Sequence, residues 1–400
     1  MSLAHDPAEL DPREPGGELC ATIRGAPEDF VVEELPAYAA NGRGEHLYLT
    51  FRKVSLTTRD AVQALAQALG VDPRGAGYAG MKDRHAVTTQ TASFPFPMAR
   101  AFEPAVAALS LRGIEVLAAA RHDNKLKPGH LLGNRFTLIL RNVRSGLRAA
   151  DVRADVAALG DRLEAVGREG VPNAFGPQRF GRDGDNPERA LAWMAGKQRG
   201  PRDKREQRLL FSALQSRLFN EVLARRDQGS HGTTAVEAGT WADVLPGDIA
   251  KKHDSGGLFG VPLTGPELDD ARARARAGAI SATGPMFGAR MRWPEGAPLA
   301  LEREILGRSL PDPAQLEAFR HLGEGTRRSL RLWVQEMRVE PLNLAAVDDG
   351  SVSEGSVRVS FVLPKGGYAT TVLSRACRIL DCTVPQSGTA PIEIDPAEFI

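Results

Sequence analysis

Alternating apolar and polar residues near both ends of this chain indicate β-strands, and a stretch of different character lies between them. The clearest runs are EHLYLTFRKV at 45–54, GNRFTLILRNV at 133–143 and SVRVSFVLP at 356–364, each with the two-residue period of a half-buried strand. A further strand, centred on Val31 and Val32, follows a proline turn. Helical patterns are scattered among these strands without a regular βαβ period. The sequence therefore favours the α+β fold class over a doubly wound α/β fold.

Three helices are predicted within the strand-rich parts of the chain. Thr57 and Thr58 offer N-caps to RDAVQALAQALG, and Gly70 supplies its stop signal. Residues 149–166 are predicted to form the second helix. TTVLSRACRIL at 370–380, which follows a Gly-Gly turn, is predicted to form the third.

The middle of the chain begins with a polar, basic junction, KQRGPRDKREQR at 197–208. An amphipathic helix follows at 208–226, with Leu210, Leu214 and Leu218 on one face, and then a Gly/Pro-rich stretch with short strands. These changes predict a domain inserted into another one. The predicted divisions are a disordered acidic tail at 1–19, the first part of a core at 20–196, the insertion at 197–344, and the second part of the core with a C-terminal tail at 345–400.

Charge and cysteine content limit the classes of function. Lys and Arg number 51 against 50 Asp and Glu, a formal net charge of +1, so nucleic-acid binding would require local clusters of cations. The three cysteines have no metal-ligand spacing and suggest no disulfide framework, which fits a reducing compartment. No signal peptide and no apolar run of about 20 residues are present. We expect a cytoplasmic protein that does not enter a membrane.

Five polar stretches contain residues that hydrophobic patterning does not require. They combine aromatic residues on glycine-rich turns with cationic loops, whereas the nucleophile motif GxSxG, the P-loop, the coupled GxGxxG and metal-binding spacings are absent. The stretches are RGAPEDF (24–30), GYAGMKDRHAVTTQ (77–90), RHDNKLKPGHLLGNRF (121–136), GVPNAFGPQRFGRDGDN (170–186) and KGGYAT (365–370).

This combination fits a pocket that stacks a base extruded from RNA while cations bind phosphates. Arg121, Lys125 and Lys127 are the candidates for phosphate contacts, and Asp83, surrounded by cations, is a candidate ionised nucleophile. Simpler interpretations exist for each stretch. The KDRH run can be a solvated turn, the 121–136 stretch a solvated hairpin, Phe30 a core residue and Asn173 a turn residue.

Seven motifs occur in an order that resembles the TruD family of tRNA pseudouridine synthases, which convert a uridine at position 13 of certain tRNAs. The resemblance covers residues 23–380, and it implies an α+β pseudouridine-synthase core with a mixed, mainly antiparallel sheet, interrupted by an inserted α/β domain that is specific to the family. The motifs are PEDFVVEE, YAGMKDRHAVTTQ, RHDNKLKPGHLLGNRF, VPNAFGPQRFG, LFSALQSRLFNEVLARR, EGTRRSLRL and FVLPKGGYATTVL.

The resemblance implies roles for individual residues. Asp83 matches the catalytic aspartate, and Arg24 matches its basic partner, which is lysine elsewhere; an arginine can keep that pairing bidentately. Phe175 falls where related enzymes stack the target base. Further substrate contacts are expected from Phe30, Lys82, Asn173 and Tyr368, the last at a position where the family often has Phe. RNA contacts are expected from Arg121, Lys125, Lys127 and Arg179, and tRNA affinity also from Arg327, Arg328 and Arg331.

The implied reaction is an isomerisation. A uridine is flipped into the cleft between core and insertion, Asp83 acts on it, and the freed uracil rotates and rejoins the sugar through carbon 5. Asp83 can attack the ribose, attack the ring, or remove a proton. Neither a metal nor a nucleotide cofactor is expected. The expected partner is a tRNA with its target uridine in the D-arm region, bound by a monomer without an obligate protein partner. Two rivals are a catalytically silent RNA-binding protein on the same scaffold and a nucleoside hydrolase or glycosylase.

Overall fold

The computed structural model describes residues 19–145, 151–181, 183–229, 237–310, 312, 314–342 and 355–383. These residues belong to two compact units. The larger unit takes in residues up to 168 and those from 334 onward, and the smaller unit takes in 169–333. Apart from Leu19, the predicted tail at 1–19 lies outside the described residues, and so do residues 384–400 of the predicted C-terminal part.

Strands and helices are mixed along the described chain. None of the described helices is long and apolar enough to cross a membrane. Up to residue 169 the elements are β1 Leu19–Ile23, β2 Phe30–Pro36, β3 His46–Val54, α1 Thr58–Leu69, β4 Gly77–Tyr78, β5 Val87–Pro95, α2 Glu103–Ala107, β6 Ile114–His122, β7 Leu131–Ser145 and α3 Val152–Glu169. The smaller unit continues with β8 Val171–Pro172, α4 Asn186–Met194, α5 Lys204–Gln228, β9 Ile249–Lys252, β10 Leu258–Gly260, α6 Pro266–Arg276, β11 Ile280–Met286, α7 Gly296–Ser309, α8 Ala314–Ala318, β12 Thr326–Ser329 and β13 Arg331–Leu332. The chain then returns to the larger unit with β14 Gln335–Leu342, β15 Ser356–Pro364, α9 Ala369–Leu373 and β16 Arg378–Asp381.

One sheet organises the larger unit. Its main path runs β14-β15-β7-β2-β5-β3-β6, with β1, β16 and β4 attached beside it. Among the described strands, β2 with β5 and β1 with β16 pair in parallel, and the other pairs are antiparallel. The predicted α+β class with a mixed, mainly antiparallel sheet is confirmed.

Helix α1 forms as its sequence predicts. The Thr57 side chain accepts a hydrogen bond from the Asp60 amide at 3.1 Å, and Gly70 ends the helix with a φ of 67°, a left-handed conformation that costs glycine little. The apolar face of α1 packs on a row of β3 side chains that begins at Leu47. This layer supports the strand pair β3 and β5, beside which the candidate site is built.

The predicted helix at 370–380 is wrong in its second half. Helix α9 ends at Leu373, and residues 378–381 form strand β16, whose Arg378 is the partner of Cys20 in β1. The open edge of β1 offers main-chain hydrogen bonds, and this pairing overrides the local helical pattern. As a result Asp381 comes to lie beside Arg24.

Helix α5 is buried more widely than the single apolar stripe predicted for 208–226. Leu210, Leu214 and Leu218 belong to a core cluster with residues of α4 and α7. Phe219 and Leu223 of the same helix belong to a second cluster with residues of β11 and α6. Helix α5 is therefore the central element of the smaller unit, where β10-β9-β11-β12 form an antiparallel sheet and β8 pairs with β13.

The smaller unit, 169–333, differs from the predicted insertion, 197–344, at both ends. The basic junction at 197–208 leads into α5 and does not mark the start of the unit. At the other end, β14 belongs to the large sheet, where Val339 is the partner of Val359. Composition marks where a chain is polar, whereas a unit boundary depends on which distant strand a segment pairs with. That residues 197–344 form a domain inserted into the core stays a prediction.

Candidate active site

Asp83 lies on a loop, residues 79–86, that we call the Asp83 loop. Because β4 pairs antiparallel with the end of β5 (Tyr78 with Ala92), the loop runs back along β5 to its start. Gly77 allows this path, since a Cβ atom there would lie 2.2 Å from the carbonyl oxygen of Leu126. The Asp83 side chain is 44% exposed, so its carboxylate is open to a substrate.

Buried polar contacts fix the main chain of the Asp83 loop. The Lys82 amide donates to Thr58 Oγ1 at 2.9 Å, and this hydroxyl donates to Gln90 Oε1 at 2.9 Å. The Lys82 ammonium pairs with Glu34 at 2.6 Å, with both side chains less than 5% exposed. A buried ion pair holds its partners in one geometry. The loop is therefore anchored on the residue directly before Asp83.

A second lysine lies under the Asp83 loop. Lys53 of β3 is fully buried, and its Nζ donates to the carbonyl oxygens of Leu56 at 2.6 Å and Asp83 at 2.8 Å. Burial lowers the pKa of Lys53 to about 8, while the attraction of Asp83 opposes this shift. Asp83 thus has one cation, Lys53, at its main-chain carbonyl, and a second cation, Arg24, beside its carboxylate.

Arg24 is the cation beside the carboxylate. Its Nη2 lies 3.4 Å from Asp83 Oδ2, and its Nη1 pairs with Asp381. The predicted partnership with Asp83 is confirmed, but the bidentate geometry is not, because the two arms of the guanidinium serve two carboxylates. Arg24 also has a φ of 58°, a conformation that costs a residue with a Cβ atom energy and is often found at functional sites.

Phe30 and Lys82, two of the predicted substrate contacts, lie inside the protein. The Phe30 ring is 1% exposed, with the Arg24 guanidinium carbon 4.0 Å from its centre. Lys82 is 4% exposed and paired with Glu34. In this structure both side chains support the two residues that form the Asp83–Arg24 pair, and neither presents a free face to a substrate.

Three of the sequence stretches converge in the larger unit. The Ala79 carbonyl accepts a hydrogen bond from the Gly129 amide at 2.8 Å, which joins the Asp83 loop to the loop that carries Lys125 and Lys127. The Gly129 carbonyl in turn accepts from Lys365 Nζ at 3.4 Å, in the turn that precedes Tyr368. Tyr368 itself is half-buried at the start of α9, and Lys127 is exposed.

Arg121 does not serve as predicted. It is 9% exposed, and its Nη1 and Nη2 atoms donate to four main-chain carbonyls at 2.7–3.1 Å. A guanidinium that satisfies buried carbonyls cannot also bind phosphate without leaving them unpaired. The predicted RNA contact of Arg121 is therefore wrong, and the residue fixes the loops around it. The carbonyls belong to Gly44, Phe96, Pro97 and Arg100.

Asn173 and Phe175 lie in the smaller unit with Arg328. Asn173 Oδ1 accepts from Arg328 Nη2 at 2.5 Å, and its Nδ2 donates to the Ser329 carbonyl at 2.8 Å. The Arg328 guanidinium carbon lies 4.1 Å from the centre of the Phe175 ring, whose other neighbours include Phe219. Arg328 would have to move before a base could stack on that side of Phe175.

The remaining basic residues of this unit make internal contacts. Arg179 donates to the hydroxyls of Ser212 at 2.8 Å and Ser216 at 3.2 Å. Arg327 pairs with Glu302 through two hydrogen bonds of 2.7 and 2.8 Å, and Arg331 donates to main-chain carbonyls. Both Arg327 and Arg331 are less than 9% exposed. The expectation that these two arginines contact tRNA is wrong, because their donors are used inside the unit.

Lys53, Glu34 and Asp381 contribute to the site without having been predicted from the sequence. A signal for Lys53 was present: it follows Leu47, Leu49 and Phe51 in the buried phase of the β3 alternation, where an apolar residue is expected. Asp381 carried no local signal. Within the ranges that the structure describes, no three His, Cys, Asp or Glu side chains are grouped so as to hold a metal ion.

The chain is similar over most of its length to proteins of one family. A family model described as tRNA pseudouridine synthase D (TruD) matches residues 16–188 and 202–376. The chain is 43% identical over 360 residues to the tRNA pseudouridine synthase D of an Anaeromyxobacter species, covering 88% of this chain and 91% of that protein. It is 39% identical over 366 residues to the Thermus thermophilus protein of the same name, covering 91% and 89%. A Methanosarcina mazei crystal structure designated tRNA pseudouridine synthase D shares the fold, with a TM-score of 0.67 at 22% identity over 92% of this chain and 94% of that one.

Proposed function

The chain belongs to the TruD family of tRNA pseudouridine synthases, and from this premise we propose that it isomerises the uridine at position 13, in the D-arm region of tRNA, with Asp83 as the nucleophile. The observation that carries the proposal is the Asp83 carboxylate, which is 44% exposed and lies 3.4 Å from Arg24 on a loop held by buried contacts. A nucleophile needs this combination of access and fixed direction.

The chemistry requires no oxidant or reductant. The bond between uracil N1 and ribose C1′ breaks, a bond between uracil C5 and C1′ forms, the C5 hydrogen leaves as a proton, and N1 gains a proton. Asp83 attacks while it is ionised, and Arg24 stabilises the carboxylate before attack and after its release. Because base and sugar must separate and rejoin, the uridine has to be unstacked and enclosed during the reaction.

The other site residues take supporting or binding roles. Tyr368 contacts the flipped nucleotide, and Lys125 and Lys127 bind phosphates. The ion pair of Lys82 with Glu34 positions the Asp83 loop, a role that fits side chains less than 5% exposed. The protein acts as a monomer.

Tritium release tests both the reaction and the position of its target. A tRNA transcript labelled with tritium at uracil C5 should release one equivalent of tritium to water, because C5 loses its hydrogen when the new bond forms. A matched transcript with cytidine at position 13 should release none. Tight binding of the first transcript without release would instead support the silent RNA-binding protein, and free uracil would support the hydrolase.

Salt dependence tests the phosphate contacts of the 125–130 loop. Replacing the exposed Lys127 with Glu should reduce the slope of log affinity against log salt by about 1, because a lost phosphate contact no longer releases a counterion. Arg121→Met is the comparison, because it removes a positive charge from the end of β6, just before that loop. It should lower the melting temperature and leave the slope unchanged, since Arg121 binds carbonyls. A reversed pattern would restore Arg121 as the RNA contact.

A further inference from the structure

Lys53 occupies a position where the strand pattern calls for an apolar residue. On β3, Leu47, Leu49 and Phe51 alternate along the buried face, and Lys53 is the next residue of that row. An apolar side chain of similar length would fill this place without removing a charge from water, a transfer that is unfavourable for a buried ion. What lysine adds at this position is a set of hydrogen-bond donors.

The acceptors of the Lys53 ammonium are main-chain carbonyls. One belongs to Leu56, in the connection between β3 and α1, and the other belongs to Asp83. The contact therefore ties the residue that carries the carboxylate to a rigid strand. Fixing the carbonyl of Asp83 restricts rotation of its main chain and hence the direction of its side chain.

We propose that Lys53 is a positioning residue for the reaction: its buried ammonium fixes the main chain of Asp83 so that the carboxylate points to the substrate. This inference rests on the proposed function. It assigns Lys53 no contact with RNA, because the side chain is fully buried. The residue acts through Asp83, and a shift of about 1 Å in a reacting group can cost about 100-fold in rate.

The charge of Lys53 links this positioning to pH. Burial lowers its pKa to about 8; the attraction of Asp83 and of Asp60 in α1 favours the charged form, and Lys82 in the loop opposes it. Lys53 is therefore charged below pH 8 and loses its charge as the pH rises through that value. A neutral amine keeps two N–H donors but bonds a carbonyl more weakly than an ammonium does. The rate of the chemical step should fall as the pH rises through about 8.

The experiment measures single-turnover tritium release for the wild type and Lys53→Met at saturating enzyme. The variant should lose about 10- to 100-fold in rate at neutral pH with its tRNA affinity nearly unchanged, and its rate should show no fall near pH 8. Arginine stays charged at alkaline pH. Lys53→Arg should therefore be faster than Lys53→Met, and its rate should not fall as the pH rises through about 8. The control is Arg52→Met, an exposed neighbour on the opposite face of β3, paired with Glu115, which should keep the wild-type profile.

Several outcomes would overturn the proposal. A folded Lys53→Met protein with the wild-type rate would do so, as would a wild-type rate that is flat through pH 8. If Lys53→Met does not fold, the wild-type profile and Lys53→Arg decide the question. Asp83→Asn is measured in parallel: an active Asp83→Asn protein refutes the proposed function, whereas an inactive one beside a fully active Lys53→Met protein refutes only the role of Lys53.

Discussion

Asp83→Asn is expected to lower the rate of pseudouridine formation by at least about 10³-fold. Asparagine has the shape of aspartate, and its Oδ1 can still accept the hydrogen bond from Arg24, which lies 3.4 Å from the carboxylate in the wild type. The amide is neutral and is not a nucleophile, so the reaction stops while the Asp83 loop keeps its anchors at Thr58 and Lys53. Single-turnover tritium release measures the loss.

Measuring tRNA affinity distinguishes a loss of catalysis in Asp83→Asn from a general disruption of the protein. Because the loop stays in place, Asp83→Asn should bind tRNA within about threefold of the wild type, measured by gel-shift titration. Asp72→Asn is the matched control, since Asp72 is also exposed and paired with an arginine, Arg74 at 3.1 Å, but lies outside the site. It should keep full activity. An Asp83→Asn protein within tenfold of the wild-type rate would remove Asp83 from the nucleophile's role.

Glu302→Gln is expected to destabilise the smaller unit by about 3–5 kcal/mol. Arg327 donates two hydrogen bonds to Glu302 and further ones to Thr283, and the side chains of the ion pair are 1% and 3% exposed. Removing the carboxylate charge leaves the buried guanidinium without the opposite charge of its ion-pair partner. For a unit of this size the loss corresponds to a fall of roughly 10 °C in melting temperature, measured by thermal unfolding.

An exposed pair of the same type provides the control. Glu317→Gln breaks the contact with Arg320, 3.0 Å long and exposed on both sides, and should change stability by no more than about 1 kcal/mol. The experiment also decides between two roles for Arg327. Unchanged stability together with weakened tRNA binding in Arg327→Met would return this residue to the RNA-binding role that the sequence suggested.

Much of the fold could be predicted from periodicity and end signals. The strands at 133–143 and 356–364, helix α1 with its cap at Thr57, and the α+β class all appear in the structure. These features depend on residues close together in the chain, and for them local patterns are sufficient. The helix predicted at 370–380 failed because residues 378–381 are needed by a distant strand.

The site was only partly predictable, because some of its contacts join residues that are far apart in the sequence. The motifs predicted that Arg24 lies beside Asp83, and the structure pairs them, but the second partner of Arg24, Asp381, is 357 residues away in the sequence. Lys53 was recognisable as a charge in an apolar phase, but its acceptor on Asp83 was not. A sequence shows that a residue can donate hydrogen bonds and does not show which carbonyl will lie within reach.

The sequence by itself determined the α+β class, several of its strands and helices, and the resemblance to the family, because these depend on residue type and spacing. The tertiary structure alone decided which cations are free to meet RNA. Lys127 and Arg121 both look like phosphate contacts in the sequence, yet Lys127 is exposed and Arg121 is committed to four carbonyls. The physical reason is burial: whether a guanidinium faces water or unpaired main-chain acceptors depends on segments that only folding brings together.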